Sequence, residues 1–151
     1  MWTREGWVYL AVVIDLHSRR VVGWSMSERM TTDLPLAALH TAYERRRPPP
    51  GLLHHSDRGS QSASRAYRLA LEGMAMTCRM SRKGDCWANA VVESFFANQG
   101  REEVAETVYA PRQEARSAWL TDLEVFYNRE RRHSSLGDLS PAEFEQSSRA
   151  A

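Results

Sequence analysis

Residues 7–15, WVYLAVVID, run for nine positions with almost no polar interruption. So short a run, rich in β-branched and aromatic residues, reads as a strand buried on both faces. His17-Ser18-Arg19 is polar turn material, and residues 21–26, VVGWSM, resume a strand pattern. The two runs together predict an antiparallel hairpin closed by a turn of a few residues. Asp15 falls at the far end of its first strand, where a carboxylate commonly bonds turn backbone or a neighbour such as Arg19.

Beyond the hairpin, helix and strand alternate. Thr31-Thr32-Asp33 is a helix start signal, and Leu36, Leu39, His40 and Tyr43 then fall on one stripe, with His40 expected in the core. Pro48-Pro49-Pro50 stops that helix. Gly51–His55 reads as a short strand, with Ser56-Asp57-Arg58-Gly59 as the loop at its C-terminal end. Residues 62–73 read as a helix ending at Gly73, residues 75–80 as a strand, and Asn89 as the opening of a long helix. Val92, Phe95 and Phe96 supply its core-facing stripe. Pro111 opens a further helix with Trp119, Leu120, Leu123, Phe126 and Tyr127 on its apolar side, and a basic loop from Tyr127 to Gly137 precedes a short helix at Pro141. A helix with another strand after it predicts an α/β arrangement, in which sites collect beyond the carboxyl ends of strands. Asp57 lies at such an end.

The chain has 151 residues, enough for one domain with a proper core and too few for two comfortable ones. A formal net charge of +1 gives no global field to draw it to nucleic acid. The positive charge is nearly all Arg and is clustered, at Arg45-Arg46-Arg47, at Arg79 with Arg82-Lys83, and at Arg129 with Arg131-Arg132. The guanidinium fork suits phosphate oxygens, and solvated helix ends are the plainer use of each cluster. Two cysteines make no disulfide framework, and no CxxC or HxxxH spacing supports zinc. No signal-like start or membrane-length apolar run is present, so a cytoplasmic protein away from membranes is expected.

Asp57 and Glu93 are the two carboxylates that this order of elements draws together. One sits at the end of a strand, the other on a helix face that it shares with Asn89, four residues earlier. Hard cations such as Mg²⁺ take oxygen ligands and keep water and substrate phosphates in their shell. Two such ions a few ångströms apart can activate the attacking oxygen and stabilise the leaving one in phosphoryl transfer. Spacing alone does not specify that chemistry.

The local sequence is more specific. HHSDRGSQ, SRKGDCWANAVVESFF and YNRERRHSSLGDLSPAEF, in this order, resemble the catalytic core of integrase-like insertion-sequence transposases, the group related to retroviral integrases. WVYLAVVIDLHSRRVVGWSM resembles the hairpin that follows the family's first catalytic strand. The likeness covers residues 2–146, with the sheet and catalytic helix in about 7–105 and a helical C-terminal extension in about 111–146. It implies a ribonuclease-H-like α/β fold, a mixed sheet flanked by helices. It also implies three carboxylates holding two Mg²⁺ or Mn²⁺ ions, with strand cleavage by water and then strand transfer to target DNA. By position Asp57 resembles the second carboxylate and Glu93 the third. Asn89 matches the polar residue one turn before the Glu, Arg82-Lys83 the basic loop near DNA, and Arg131 with His133 the C-terminal basic motif. Implied partners are DNA, namely element ends and target, further copies of the chain, and an upstream helix-turn-helix transposase subunit.

The likeness has gaps. The family's first carboxylate lies on a strand before Gly6-Trp7, and Met1–Glu5 resembles only the linker after it. Ala88, Gly100 and Ser62 stand where the family usually has Asp, Lys and Tyr. That missing strand is central in ribonuclease-H-like sheets. Without it, Trp7–Asp15 and Leu52–His55 would each carry an unpaired edge, open to another chain. The expectation is an incomplete, inactive copy of a transposase core; the alternative is a non-catalytic DNA-binding or oligomerising remnant.

Overall fold

The structure, a computed structural model, describes residues 2–56, 64–80, 86–99 and 111–150. Trp2–Thr3 (β1) and Gly6–Trp7 (β2) form a tight antiparallel ribbon. Tyr9–Ile14 (β3) and Val21–Ser27 (β4) form the expected hairpin, in register from Tyr9↔Ser27 to a bulge between Val13 and Ile14. Asp33–Arg46 (α1) follows, then Leu53–Ser56 (β5), Arg65–Gly73 (α2) and Thr77–Met80 (β6). β5 and β6 pair in parallel, His54 opposite Cys78, with α2 as the crossover between them. Cys86–Gln99 (α3) and Arg112–Thr121 (α4) come next, and α4 runs straight on into a wider π-helical turn, Asp122–Glu130. Its wider bonding shows in the Arg131 amide, which donates five residues back to the Phe126 carbonyl at 2.7 Å. Pro141–Ala150 (α5) follows.

Local chemistry sets several of these limits. The Ser64 hydroxyl accepts the Tyr67 amide and starts α2, three residues later than the helical pattern predicts. Ser140 and Glu143 cap α5 reciprocally, each side chain taking the other's backbone N–H. Glu5 accepts the Arg112 amide at 2.6 Å, so the linker carboxylate serves the start of α4. α3 begins at Cys86, a turn ahead of Asn89.

Two apolar clusters lie on opposite faces of the hairpin. Leu10, Val12 and Trp24 pack with Val21, Phe95 of α3, and Leu123 and Tyr127 of the π-helical turn. On the other face α1 lies so close to β4 that a Cβ at Gly23 would sit 2.3 Å from the Ala38 carbonyl oxygen. Leu39 then joins Tyr67, Leu71 and Met74 in the second cluster. Some sequence expectations fail here. His40 is exposed rather than in the core, because Leu34, Ala38, Leu39 and Ala42 form the buried stripe. Leu120 is exposed too, and residues 127–130 are helical rather than loop.

β3 is half-buried along its length rather than fully buried. Among the described residues the strands form three two-stranded sheets, and β3 and β5 do not pair with each other. A groove of about 820 Å³ lies between them. Ala11–Ile14 line one side and Leu52–Ser56 the other, with Ala38 and Leu39 of α1 and Val92 and Phe96 of α3 completing the walls. Leu52, Leu53, Val92 and Phe96 are each 40–47 % exposed, an unusual density of uncovered apolar surface. Two strand edges facing each other across an apolar slot are the open-edged arrangement that the sequence predicts.

Candidate metal and nucleic-acid site

Glu93 projects from α3 on the groove side, between Val92 and Phe96, and is exposed. His55 and Ser56, the last residues of β5, line the same groove. Asp57 itself lies outside the described residues, as do Arg82 and Lys83. Asn89 lies in α3 one turn before Glu93; its side chain is outside what is described.

Asp15 also borders the groove, but its carboxylate is engaged. Its Oδ1 accepts the His17 amide at 2.9 Å and the Ser18 amide at 3.4 Å, the turn-bonding role expected from sequence. Among the described residues no group of three His, Cys, Asp or Glu side chains could hold a metal ion. Glu93 offers a carboxylate, and a hard cation such as Mg²⁺ takes one or two of these with water and phosphate oxygens.

His54 is the most perturbed base on the groove wall. Burial, with a smaller contribution from His55, lowers its pKa from 6.5 to about 4, so the ring is neutral at pH 7. Its Nε2 shares a hydrogen bond with the Tyr67 hydroxyl at 2.9 Å. That contact fixes β5 on α2.

Arg131 and His133 sit elsewhere, on the neighbouring face of α3. They line a second cavity, of about 380 Å³, together with Arg19, Arg132 and Ser94. Tyr127 forms part of its wall, stacked edge-to-face on His133 with ring centroids 5.3 Å apart. Helix α3 therefore carries its carboxylate toward the groove and its Ser94 side toward a basic cavity. The sequence draws Arg131 and His133 to notice, but Arg19 joins them only through the fold. Its left-handed backbone, φ 62°, belongs to the hairpin turn.

The Arg45–Arg47 cluster has a different use. Arg45 bonds Glu124 at 2.6 Å, and Arg46 bonds Glu145 of α5. Arg20 and the Ser18 hydroxyl reach the same Glu145, at 2.7 and 2.9 Å. Burial alone would raise the Glu145 pKa; bonds from Arg46, Arg20 and Ser18 outweigh it and hold the carboxyl below its usual range. These arginines knit α1, the hairpin turn and the C-terminal helices together.

Comparison with known proteins places this geometry. Residues 1–86 match the integrase core domain family, and residues 74–141 match a second family of the same description. The chain is 45 % identical over 144 residues to the insertion element IS600 uncharacterized 31 kDa protein of Shigella sonnei, covering 95 % of this chain and 53 % of that protein. It is 47 % identical over 143 residues to the transposase InsF for insertion sequence IS3A of Escherichia coli (strain K12), covering 95 % and 50 %. The chain thus spans about half the length of the curated relatives it matches.

Among solved structures, the catalytic core domain of BIV integrase matches over 99 % of this chain and 91 % of its own, with a TM-score of 0.59 and 17 % identity. A chain of the simian T-cell lymphotropic virus intasome, solved in complex with PP2A regulatory subunit B56 gamma, matches over 83 % and 45 %, with a TM-score of 0.61 and 17 % identity. At that identity the likeness is one of fold, the ribonuclease-H-like integrase core with a helical C-terminal extension. The chain belongs to the integrase core domain family.

Proposed function

We propose that this chain serves DNA transposition as an integrase-core unit that binds DNA and carries two carboxylates of a metal-dependent strand-transfer site, Asp57 and Glu93. The observation that carries the reading is Glu93 on the wall of the groove that Ser56, the residue before Asp57, also lines. In a complete site Mg²⁺ or Mn²⁺ would activate the attacking oxygen and stabilise the leaving one. Arg82, Lys83 and Asn89 would meet DNA near that site, and Arg131 and His133 would meet it on the neighbouring face of α3. Element ends and target DNA are the proposed substrates, in a cytoplasmic setting, with further copies of the chain and a helix-turn-helix transposase subunit as partners.

The second reading is a unit that binds DNA or assembles with other chains without catalysing transfer. The engagement of Asp15 in the turn favours it, since that carboxylate is held by turn backbone and not offered to a metal. The facing strand edges of β3 and β5 favour it as well.

One assay tests both, since each leaves the chain alone without strand transfer. The purified chain is given element-end DNA with Mg²⁺ or Mn²⁺, and strand-transfer products are counted. The expected result is DNA binding without transfer by the chain alone. Transfer that Asp57→Asn abolishes would overturn this and assign full catalysis to the chain.

A further inference from the structure

The basic cavity behind α3 has a composition that the carboxylate site does not use. Three arginines from two distant segments converge there, Arg19 from the hairpin turn and Arg131 and Arg132 from the stretch after the π-helical turn. Ser134 and Ser135 add hydroxyls to the same wall, and Ser94 adds one from α3. His133 adds a ring nitrogen, Nε2, that is buried and has no hydrogen-bond partner among the described residues. Leaving a buried polar atom unpaired is costly, so an arrangement that keeps one beside clustered guanidinium groups is suited to a ligand that accepts hydrogen bonds. An apolar ligand would find little here, because the Phe95 and Tyr127 rings are engaged edge-to-face with each other.

The geometry points to a phosphate-binding subsite, in which Arg19, Arg132 and His133 hold a phosphodiester group of bound DNA. Guanidinium groups give two parallel N–H bonds to a phosphate, and hydroxyls complete its shell. Burial, helped by Arg131 and Arg19, lowers the His133 pKa, so the ring is neutral at pH 7. A neutral imidazole with its proton on Nε2 is a hydrogen-bond donor to an anion. The subsite lies on the neighbouring face of α3 from Glu93, so a strand held there is positioned by its backbone and not by base identity. This inference rests on the DNA-binding reading above and adds the place and the chemical group.

The test uses the whole chain with three variants, Arg19→Asn, Arg132→Gln and Arg68→Gln. Asn tolerates the left-handed backbone at position 19, so that change removes charge without straining the turn. Arg68, exposed on α2, serves as the control. Affinity for a duplex oligonucleotide is measured across a salt series, and the His133 ring resonances are followed by NMR during titration with inorganic phosphate. The expected result is roughly tenfold weaker binding for each cavity variant, a salt slope reduced by about one, and no change for Arg68→Gln. Phosphate should shift the His133 resonances in the wild type and less in the variants. Normal DNA binding and salt slope in both cavity variants, with still resonances, would overturn the subsite while leaving the DNA reading intact. Shifted resonances with unaltered DNA binding would also overturn it, assigning the cavity to free phosphate. A wild-type chain that binds no DNA at all would instead remove the reading on which the subsite rests.

Discussion

Asn128 is only 1 % exposed and bonds both backbone groups of one residue of β4. Its Oδ1 accepts the Val21 amide at 2.9 Å, and its Nδ2 donates to the Val21 carbonyl at 3.0 Å. The side chain thus imitates a neighbouring strand beside the bulge. Asn128→Ala would strand both groups in the core, a cost of about 3 kcal/mol. For a chain of this size the melting temperature should fall by roughly 6–12 °C. A fall of less than a degree would show that water replaces the amide freely. His54 makes a separate prediction. Its folded pKa is depressed to about 4 against 6.5, so the unfolded chain takes up the proton first. The stability this gives is fully present above pH 6.5 and is lost as pH falls toward 4, on the order of 3 kcal/mol in all. Urea unfolding at pH 7, 5.5 and 4.5 should follow that loss, and His54→Gln should flatten most of it. An unchanged slope in the variant would place the titrating group elsewhere. Glu145 has the same sign but, as a carboxylate, loses its contribution only below about pH 4.5.

At the scale of elements, the tightest fit is α1 on β4. Added at Gly23, a Cβ would lie 2.3 Å from the Ala38 carbonyl oxygen and 2.7 Å from the Ala42 Cβ. Backbone cannot yield as a flexible side chain does, so Gly23→Ala should lower stability by about 3 kcal/mol, read as a shift in the urea midpoint. An unmoved midpoint would mean that α1 rides higher than described. Elements were legible where one physical signal ruled. The apolar run and its turn predict the hairpin, and the start signal and triple-proline stop predict α1. The His40 expectation went astray because two stripes compete on α1, and the small residues Ala38 and Ala42 win by letting the helix approach Gly23. The polarity of residues 127–130 predicts a loop, yet Asn128 is buried by its pairing with Val21, a contact between distant segments. Leu120 faces out of α4 because Ala115 and Trp119, four residues apart, form that helix's buried stripe.

Over the whole molecule, the motifs around Glu93 and after Tyr127 announce the family, and the resemblance to ribonuclease-H-like sheets predicts the edges that β3 and β5 leave unpaired with each other among the described residues. Hidden from the sequence was the division of labour around α3, with Glu93 on the groove and Arg19, Arg131 and Arg132 around a basic cavity. Arg19 and Arg132 lie more than a hundred residues apart, and only folding makes them neighbours. A near-neutral chain whose Arg45 and Arg46 are engaged by Glu124 and Glu145 offers DNA no global field, so the proposed binding falls to this local cluster. The most direct measurement is equilibrium binding of the purified chain to duplex DNA over a salt series. Phosphate contacts release counterions, so log K should fall linearly with log salt, with a slope of several units. Affinity that stays level from low to high salt, or no binding at any salt, would contradict the account.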